Sequence, residues 1–587
     1  MESPFAEALR AGLERLTAWA DLLDEINVFP VADGDTGRNL VVSLAPLRGI
    51  ALGREKTIRE LLLAARGNSG NITARFLSGL LEADAPEALP GAVREGRDRA
   101  WQAVADPRPG TILTLFDALA EALEEVPAAY DGPWCEEVLG RLEGAVLATA
   151  ERLPPLKAAG VVDAGALGAF IFLQGFFRSL TASRGAFRPI MERFAGRLRL
   201  SPAFRQERET GCCIDTVLAA DGNGADAVQR LSAVGESVVV LRDGDLLKVH
   251  LHAQDGRKAR EALASMGRVI RWAADDLAAQ VRAFRKPKDG QAVRILTDAA
   301  GSVSRQSAAE LGMTLLESYI SLGERCLPET RFDAAELYEA MRGGRKVSTS
   351  QASLFERHEC YRSALERHPR VLYLCTGSVF TGNYAVALQW KRENDPEDRF
   401  TLIDTGAASG RLGLAAVATA RFAAAAPDAG AVVRYAHDAA ARCEEVIFLE
   451  KLKYLAAGGR LSKSGALAGD LLRMKPVISP LADGARRVGL VRDQTEQLRF
   501  ALERLEEKLK GDGEGALILL EYTDNAPWVA QKARSEIARL RPRAELLLEP
   551  MSLTSGAHMG PGTWAVAFLA AEGKGGGGQE GEGVRTL

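Results

Sequence analysis

The sequence predicts a multidomain protein: an all-α helical first domain, a small α+β middle domain and a C-terminal α/β region. Three observations carry this. At 587 residues the chain is too long for one hydrophobic core. Leu9, Leu13, Leu16, Ala20 and Leu23 recur at helical spacing, as do Val138, Leu142, Ala145 and Val146, with no sustained two-residue alternation between them. From Val293 onward short apolar strands alternate with helical stretches.

In chain order, the helical domain is expected over 1–198. It opens on MESPFAEALRAGLERL, an amphipathic helix rather than a signal peptide. The middle domain spans 199–285. There Val238 to Arg242, the turn Asp243-Gly244, and Asp245 to His252 read as a β-hairpin. A polar linker with Pro and Gly follows at 286–291. The α/β region covers 292–571, with strands at Val293–Leu296, Val371–Cys375, Phe400–Ile403 and Val446–Leu449. Helical stretches such as Asp333–Met341, Leu354–Glu366 and Tyr384–Trp390 lie between them. The tail, 572–587, is rich in Gly and Glu, cannot build a core and reads as disordered.

Composition narrows the function classes. Apolar content is 47% and charged content 26%, the balance of a soluble globular protein. Net charge is −4 and the basic residues are dispersed, which argues against nucleic acid as a partner. Seven scattered cysteines suggest no disulfide framework and fit a reducing, cytoplasmic setting. No run reaches the roughly 18 apolar residues of a membrane span; Ala415 to Ala426 is broken by Arg421.

Chemistry concentrates in loops. Asn27 to Asn39, NVFPVADGDTGRN, holds Asp33 and Asp35 within three positions, with Gly34 and Gly37 around Asp35 and the polar Thr36 and Asn39 after it. Two carboxylates this close suit a hard divalent cation such as Mg2+, bound with positions left for phosphates. Asp-Gly is also an ordinary turn and helix-cap signal. Arg66-Gly67-Asn68-Ser69-Gly70 follows an apolar run, and its backbone N–H groups suit phosphate oxygens. Pro109 to Thr114 places the Thr111 and Thr114 hydroxyls at a helix start, and Ala159 to Gly165 sets Asp163 between two glycines.

Together these loops resemble the ATP-binding kinase domain shared by the nucleotide-binding subunits of dihydroxyacetone kinase and fatty acid kinase, over roughly residues 5 to 198. NVFPVADGDTG, ARGNSG, PGTILT and AGVVDAG look like the fatty acid kinase branch. That resemblance implies an antiparallel (DhaL-like) helical barrel with ATP at one rim. Asp33 and Asp35 would hold Mg2+, with Asn27 or Asn39 completing the shell beside Thr36 and Gly37. Arg66 to Gly70 and Thr111 to Thr114 would line the phosphates, and Asp163 to Gly165 the nucleoside. Arg38, Ala166 and Leu167 depart from the family pattern.

In the middle domain Lys248, His250 and His252 share one strand face, and Cys213 can add a thiolate. A Cys-His-His set favours Zn2+. The same residues also fit a solvated strand face with Cys213 as a small buried hydrophobe. The segment resembles the middle domain of the ATP-binding chain of fatty acid kinase, which implies a metal on Cys213, His250 and His252, and a homodimer. Distance in sequence from the DGDTG loop suggests a structural role for that metal.

Hydroxyl-rich loops follow the C-terminal strands: Thr297 to Ser302, Ser348 to Ser353, Thr376 to Gly382, Gly458 to Ser462 and His558 to Gly562. Hydroxyls with an Arg and a His can hold a carboxylate or acyl phosphate. No GxSxG elbow or hydrolase triad spacing is present. TDAAGSV, VSTSQAS, TGSVFTGNY, IDTGAASGRLG, YLAAGGRLSKSGA, MKPVIS and AHMGPG make residues 292–571 resemble the DegV family of fatty-acid-binding proteins. This implies two α/β lobes around one acyl chain, with Thr349, Ser350, Ser378 and Thr381 near the carboxylate and Arg460 and His558 aiding phosphoryl transfer. Gly377 and Ala352 depart from the family pattern.

The combination implies a single-chain fatty acid kinase with ATP and Mg2+ as cofactors. It would make acyl phosphate for phospholipid synthesis, passed on to a membrane-associated acyltransferase met transiently. A dihydroxyacetone-type (glycerone) kinase, or a non-catalytic lipid-binding or regulatory protein, are the alternatives.

Overall fold

The computed structural model describes residues 3–183, 187–205, 210–220, 227–283, 293–426, 428–457 and 474–571. The linker expected at 286–291, Arg460 and the tail at 572–587 lie outside these residues. The chain forms two compact units. The first comprises Met1–Pro287, Ser321–Arg331 and Ser350–Pro369, and the second Lys288–Ile320, Phe332–Thr349 and Arg370–Leu587.

The first unit opens on helix α1, Pro4–Ile26. Ser3 caps it by accepting the Ala6 N–H at 3.2 Å, and Pro4 starts the helix, where no N–H is needed. Leu9, Leu13, Leu16 and Leu23 are buried, as their spacing requires. Helix α2, Thr36–Leu44, and helix α3, Gly67–Leu80, follow the two glycine-bearing loops. Helix α4, Ala164–Leu180, is buried on every side from Ala164 to Arg178, which its all-round apolar sequence predicts, and it packs along α1.

The polar side of α1 is buried too. Helix α5, Leu354–Arg367, covers it. Arg15 and Glu359 form an ion pair with both side chains fully excluded from water. Arg15 also donates from Nε and Nη2 to Gln174 Oε1 at 2.9 and 2.7 Å, and its guanidinium lies 3.8 Å above the Phe187 ring. Arg367 pairs with Glu25 at 2.6 Å, Arg48 with Glu356 at 2.8 Å, and Ser353 donates to Glu14 at 2.7 Å.

The middle of this unit is a four-stranded antiparallel sheet of β1 (Cys212–Ala220), β2 (Glu236–Asp243), β3 (Leu246–Ala253) and β4 (Gly267–Asp276), in the order β2-β3-β1-β4. β2 and β3 are the expected hairpin. Ile214, Leu218, Leu247, Val249 and Leu251 make its core with helices Ala227–Ser232 and Gly256–Ala264. The register pairs Cys213 with His252 and Asp215 with His250. Since alternate residues share a face, these four stand opposite that core.

Among the described residues two sheets lie wholly within the second unit. One is parallel, in the order Phe400–Asp404, Val371–Cys375, Arg294–Asp298, Met313–Leu316. The other has six strands of mixed direction, with Glu444–Phe448 and Trp564–Leu569 at its centre. Its strand Lys475–Leu481 is not apparent from sequence, because Pro476 and Pro480 read as strand breakers. Glu444–Phe448 pairs with it only at Val477 and Ile478, which leaves both prolines off that ladder. Asp333, expected inside a helix, is instead the cap of Ala334–Arg342 and accepts the Glu336 N–H at 3.0 Å.

Candidate functional site

The Asp33–Asp35 loop is built by the join of α1 and α2. Asp35 stands at the N-cap position of α2 but makes no capping bond. Asp24, in the last turn of α1, takes that duty, accepting the amides of Gly37 at 2.7 Å and Arg38 at 3.2 Å. The Asp35 carboxylate is thereby left for other work. Gly37 is needed for packing: a Cβ there would lie 2.0 Å from the Ala20 carbonyl oxygen. Arg38, the departure from the family pattern, donates from Nη2 to the Gly34 carbonyl at 2.7 Å and so braces the turn between the two aspartates. Asn27 Nδ2 donates to Asp33 at 2.7 Å, and Asn27 Oδ1 is buried without a hydrogen-bond partner. Burial first, then the adjacent Asp35 carboxyl, raises the Asp33 pKa well above the usual carboxylate range. Two carboxyls and an orphaned amide oxygen form a hard oxygen donor set, which fits Mg2+.

The turn 66–70 comes against this loop. Ser43 Oγ accepts the Arg66 N–H at 2.9 Å and donates to the Asn39 carbonyl at 2.6 Å. The other two loops stand behind it. A Cβ on Gly165 would lie 2.7 Å from Ser69 Oγ. Asp163 caps α4 through the Ala166 N–H at 2.7 Å, and burial raises its pKa to about 7. Thr111 caps helix Ile112–Glu125, and Thr114 Oγ1 accepts the Gly110 N–H at 2.7 Å. These hydroxyls therefore shape the neighbouring turns, and their place at a phosphate remains an expectation from the sequence.

Cys213, His250 and His252 are buried, and one ligand atom from each lies within 4.8 Å of the others. His250 Nε2 and His252 Nδ1 are buried without a hydrogen-bond partner. Burial, then the neighbouring His250, lowers the His252 pKa to about 3, so that ring is neutral. A neutral His252 ring and the orphaned nitrogens of both imidazoles beside a thiol fit Zn2+. The expectation that this cluster stands apart from the DGDTG loop is corrected by the fold. Asn27, Asp33, Asp35, Thr36, Asn39, Gly67, Asn68, Ser69, Cys213, His250 and His252 line one cavity. Separation along the chain said nothing of this, because the β1–β3 face closes over the loop. A second cavity of about 220 Å3 shares Asp35, Asn39 and Cys213 with the first and is bordered by Arg38 and Arg66.

Sequence reasoning missed Asp215. It accepts from Lys248 Nζ at 2.7 Å and from the Gly67 amide at 3.2 Å, and it is paired with His250 Nδ1 at 3.3 Å. The available signal was its place two residues after Cys213, hence on the same strand face.

In the second unit Thr349 Oγ1 and His558 Nε2 lie 3.2 Å apart. Ser378 is exposed on a loop whose geometry Asp298 and Asp404 set. Asp298 accepts from Tyr373 Oη at 2.5 Å, the Thr376 amide at 2.6 Å and Asn383 Nδ2 at 2.9 Å, and Asp404 accepts the Ser378 amide at 3.0 Å. Thr381 Oγ1 accepts the Asn383 amide at 3.3 Å. Ser350 is exposed and belongs to the first unit.

Three family models match the chain in succession. They are the DAK2 domain over residues 30–178, the FakA-like middle domain of fatty acid kinase over 209–284, and the DegV family of uncharacterised proteins over 292–571. The chain therefore has a fatty acid kinase-like domain architecture joined to a DegV-family domain. Among individual relatives it is 30% identical over 326 residues to Protein YloV of Bacillus subtilis (strain 168), covering 49% of this chain and 58% of that one. It is 26% identical over 356 residues to an uncharacterised protein of Staphylococcus saprophyticus, covering 54% and 63%. The chain thus spans less than two thirds of these relatives. A DegV family protein from Thermus thermophilus, described by its fatty acid binding, covers 47% of this chain and 99% of its own at 23% identity and a TM-score of 0.44. DegV of Bacillus subtilis, described as a fatty acid binding protein, covers 48% and 100% at 17% identity and a TM-score of 0.43. Among the described residues no helix is long and apolar enough to cross a membrane.

Proposed function

We propose that this chain is a fatty acid kinase, an ATP-dependent phosphotransferase whose acceptor is the carboxylate of a fatty acid held by the DegV-like region. The observation that carries the reading is one cavity that gathers Asp33, Asp35 and the orphaned oxygen of Asn27 with the turn at Gly67 to Ser69. Asp33, Asp35 and Asn27 would hold Mg2+, which supplies charge neutralisation at the nucleotide phosphates when bound. Cys213, His250 and His252 would hold Zn2+ in the wall of the same cavity.

The residues of the chain supply the rest. With the Arg66 and Gly67 amides held by Ser43 and Asp215, the 66–70 turn orients phosphate through the backbone N–H groups that follow at the start of α3. Thr349 and Ser378 anchor the fatty carboxylate, with Ser350 and Thr381 beside them. That acid is ionised at neutral pH, so the attack needs no strong base. His558 and Arg460 are assigned to the charge that develops on the transferring group. An acyl chain adds roughly 0.8 kcal/mol per buried methylene, so one polar anchor suffices for tight binding. Acyl phosphate for phospholipid synthesis, a homodimer and a transient acyltransferase partner complete the proposal.

The test is phosphorylated product from Mg-ATP supplied with oleate, palmitate or dihydroxyacetone. Acyl phosphate from the fatty acids alone is expected. Product from dihydroxyacetone alone would replace this reading with a glycerone kinase. Bound lipid without fatty-acid-dependent ADP release would replace it with a lipid-binding protein.

A further inference from the structure

We infer that Asp215 is a positioning residue that couples occupancy of the Cys213/His250/His252 cluster to the phosphate-binding turn, so that zinc tightens nucleotide binding. This rests on the kinase reading above and extends it.

One carboxylate, with its side chain 13% exposed, serves two domains of the same unit. Asp215 Oδ1 accepts from Lys248 Nζ at 2.7 Å and from Asn71 Nδ2 at 3.3 Å. Oδ2 accepts the Gly67 amide at 3.2 Å and meets His250 Nδ1 at 3.3 Å. Gly67 and Asn71 open α3 and carry the phosphate turn, while Lys248 and His250 belong to β3. The same oxygen thus faces a metal-ligand candidate and the amide of Gly67, the first residue of α3.

Two consequences follow. A hydrogen on Nδ1 directed at Asp215 leaves Nε2 of His250, buried and without a partner, as the ligand atom. A cation on Nε2 makes the Nδ1 proton more acidic and tightens its bond to Asp215. The carboxylate that is drawn to His250 also fixes the Gly67 amide, so an ordered cluster and an ordered turn favour one another. By linkage, nucleotide raises zinc affinity by the factor that zinc raises nucleotide affinity. A carboxylate present only to neutralise Lys248 would stabilise the fold with no such coupling.

The experiment uses the full chain, either zinc-loaded or stripped with a chelator. Mg-ADP is titrated by calorimetry, and zinc affinity is read by competition with a chromophoric chelator. Wild type is compared with Asp215→Asn/Lys248→Met, which keeps the charge balance and guards against an unpaired buried lysine. Zinc should tighten Mg-ADP at least about 5-fold in wild type. In the double variant zinc affinity should fall about 10- to 100-fold, and at saturating zinc the Mg-ADP affinity should match that of the stripped protein. Coupling that survives in a folded double variant overturns the inference, as does wild type that binds both ligands independently. Wild type that binds neither overturns the kinase reading as well, which separates the two failures.

Discussion

Replacing Arg15 by methionine should unfold the first unit at a markedly lower temperature. Both Arg15 and Glu359 have side chains with no exposure, so water cannot solvate whichever charge is left behind. Arg15→Met removes the ion pair, two hydrogen bonds to Gln174 Oε1 and the cation stacked on Phe187. Glu359 keeps Arg362, whose side chain is one-third exposed and compensates in part. Breaking a buried pair from one side costs about 3–5 kcal/mol. At roughly 2 °C per kcal/mol for a unit of this size, the transition should fall by about 6–10 °C. The assay is scanning calorimetry of the full chain, in which the transition of the first unit should be displaced and that of the second kept. Arg15→Met/Glu359→Leu removes both charges and should recover most of the loss, because a matched apolar pair avoids the desolvation penalty. A single variant that melts with wild type, or a double variant worse than the single, would refute the burial argument.

Further outcomes are expected elsewhere. Asp33→Ala should abolish turnover while a fluorescent fatty acid still binds with wild-type affinity; lost lipid binding in folded protein would break the assigned division of labour. Elemental analysis should find near-stoichiometric zinc in wild type and none in His250→Ala/His252→Ala. Gly37→Ala should cost about 1–3 kcal/mol in urea unfolding, since its Cβ meets the Ala20 carbonyl at 2.0 Å. Glu445 and Glu521 share a hydrogen bond in the second unit, and burial raises both pKa values. A carboxyl raised in the folded state contributes stability below its unfolded pKa and loses it as pH rises through the folded value. Glu445→Gln should therefore stabilise the second unit relative to wild type at pH 8, with the gain shrinking towards pH 5; a gain independent of pH would contradict this.

Local signals in the sequence are legible where chemistry and backbone coincide. The hairpin around Asp243-Gly244 and the strand Val371–Cys375 stand where residue type and pattern put them, and the strand expected at Phe400–Ile403 runs one residue further, to Asp404. What escapes depends on three-dimensional register. Asp215 gains its role only because β1 sets it beside His250 and beneath Gly67. Arg15 and Glu14 sit on the polar side of the α1 stripe, yet both are buried, because amphipathic spacing does not say what covers the other face. Gly37 looks like a phosphate-loop glycine and is also a packing glycine, a distinction that needs the Ala20 carbonyl in place.

The membership of Ser350–Pro369 in the first unit bears on how this gene could be divided. A cut in the polar segment near residue 288 separates the matched DAK2 and DegV segments on paper. It would not yield two finished polypeptides. The upstream product would carry Arg15 without Glu359, and the downstream product would bear an orphan helix whose charged face was cut to fit α1. Fusion here resembles a graft whose tissues have grown together. The DAK2-matched and DegV-matched segments are held at a fixed one-to-one ratio, and placing them on separate genes would demand compensating changes on both sides of the α1–α5 contact.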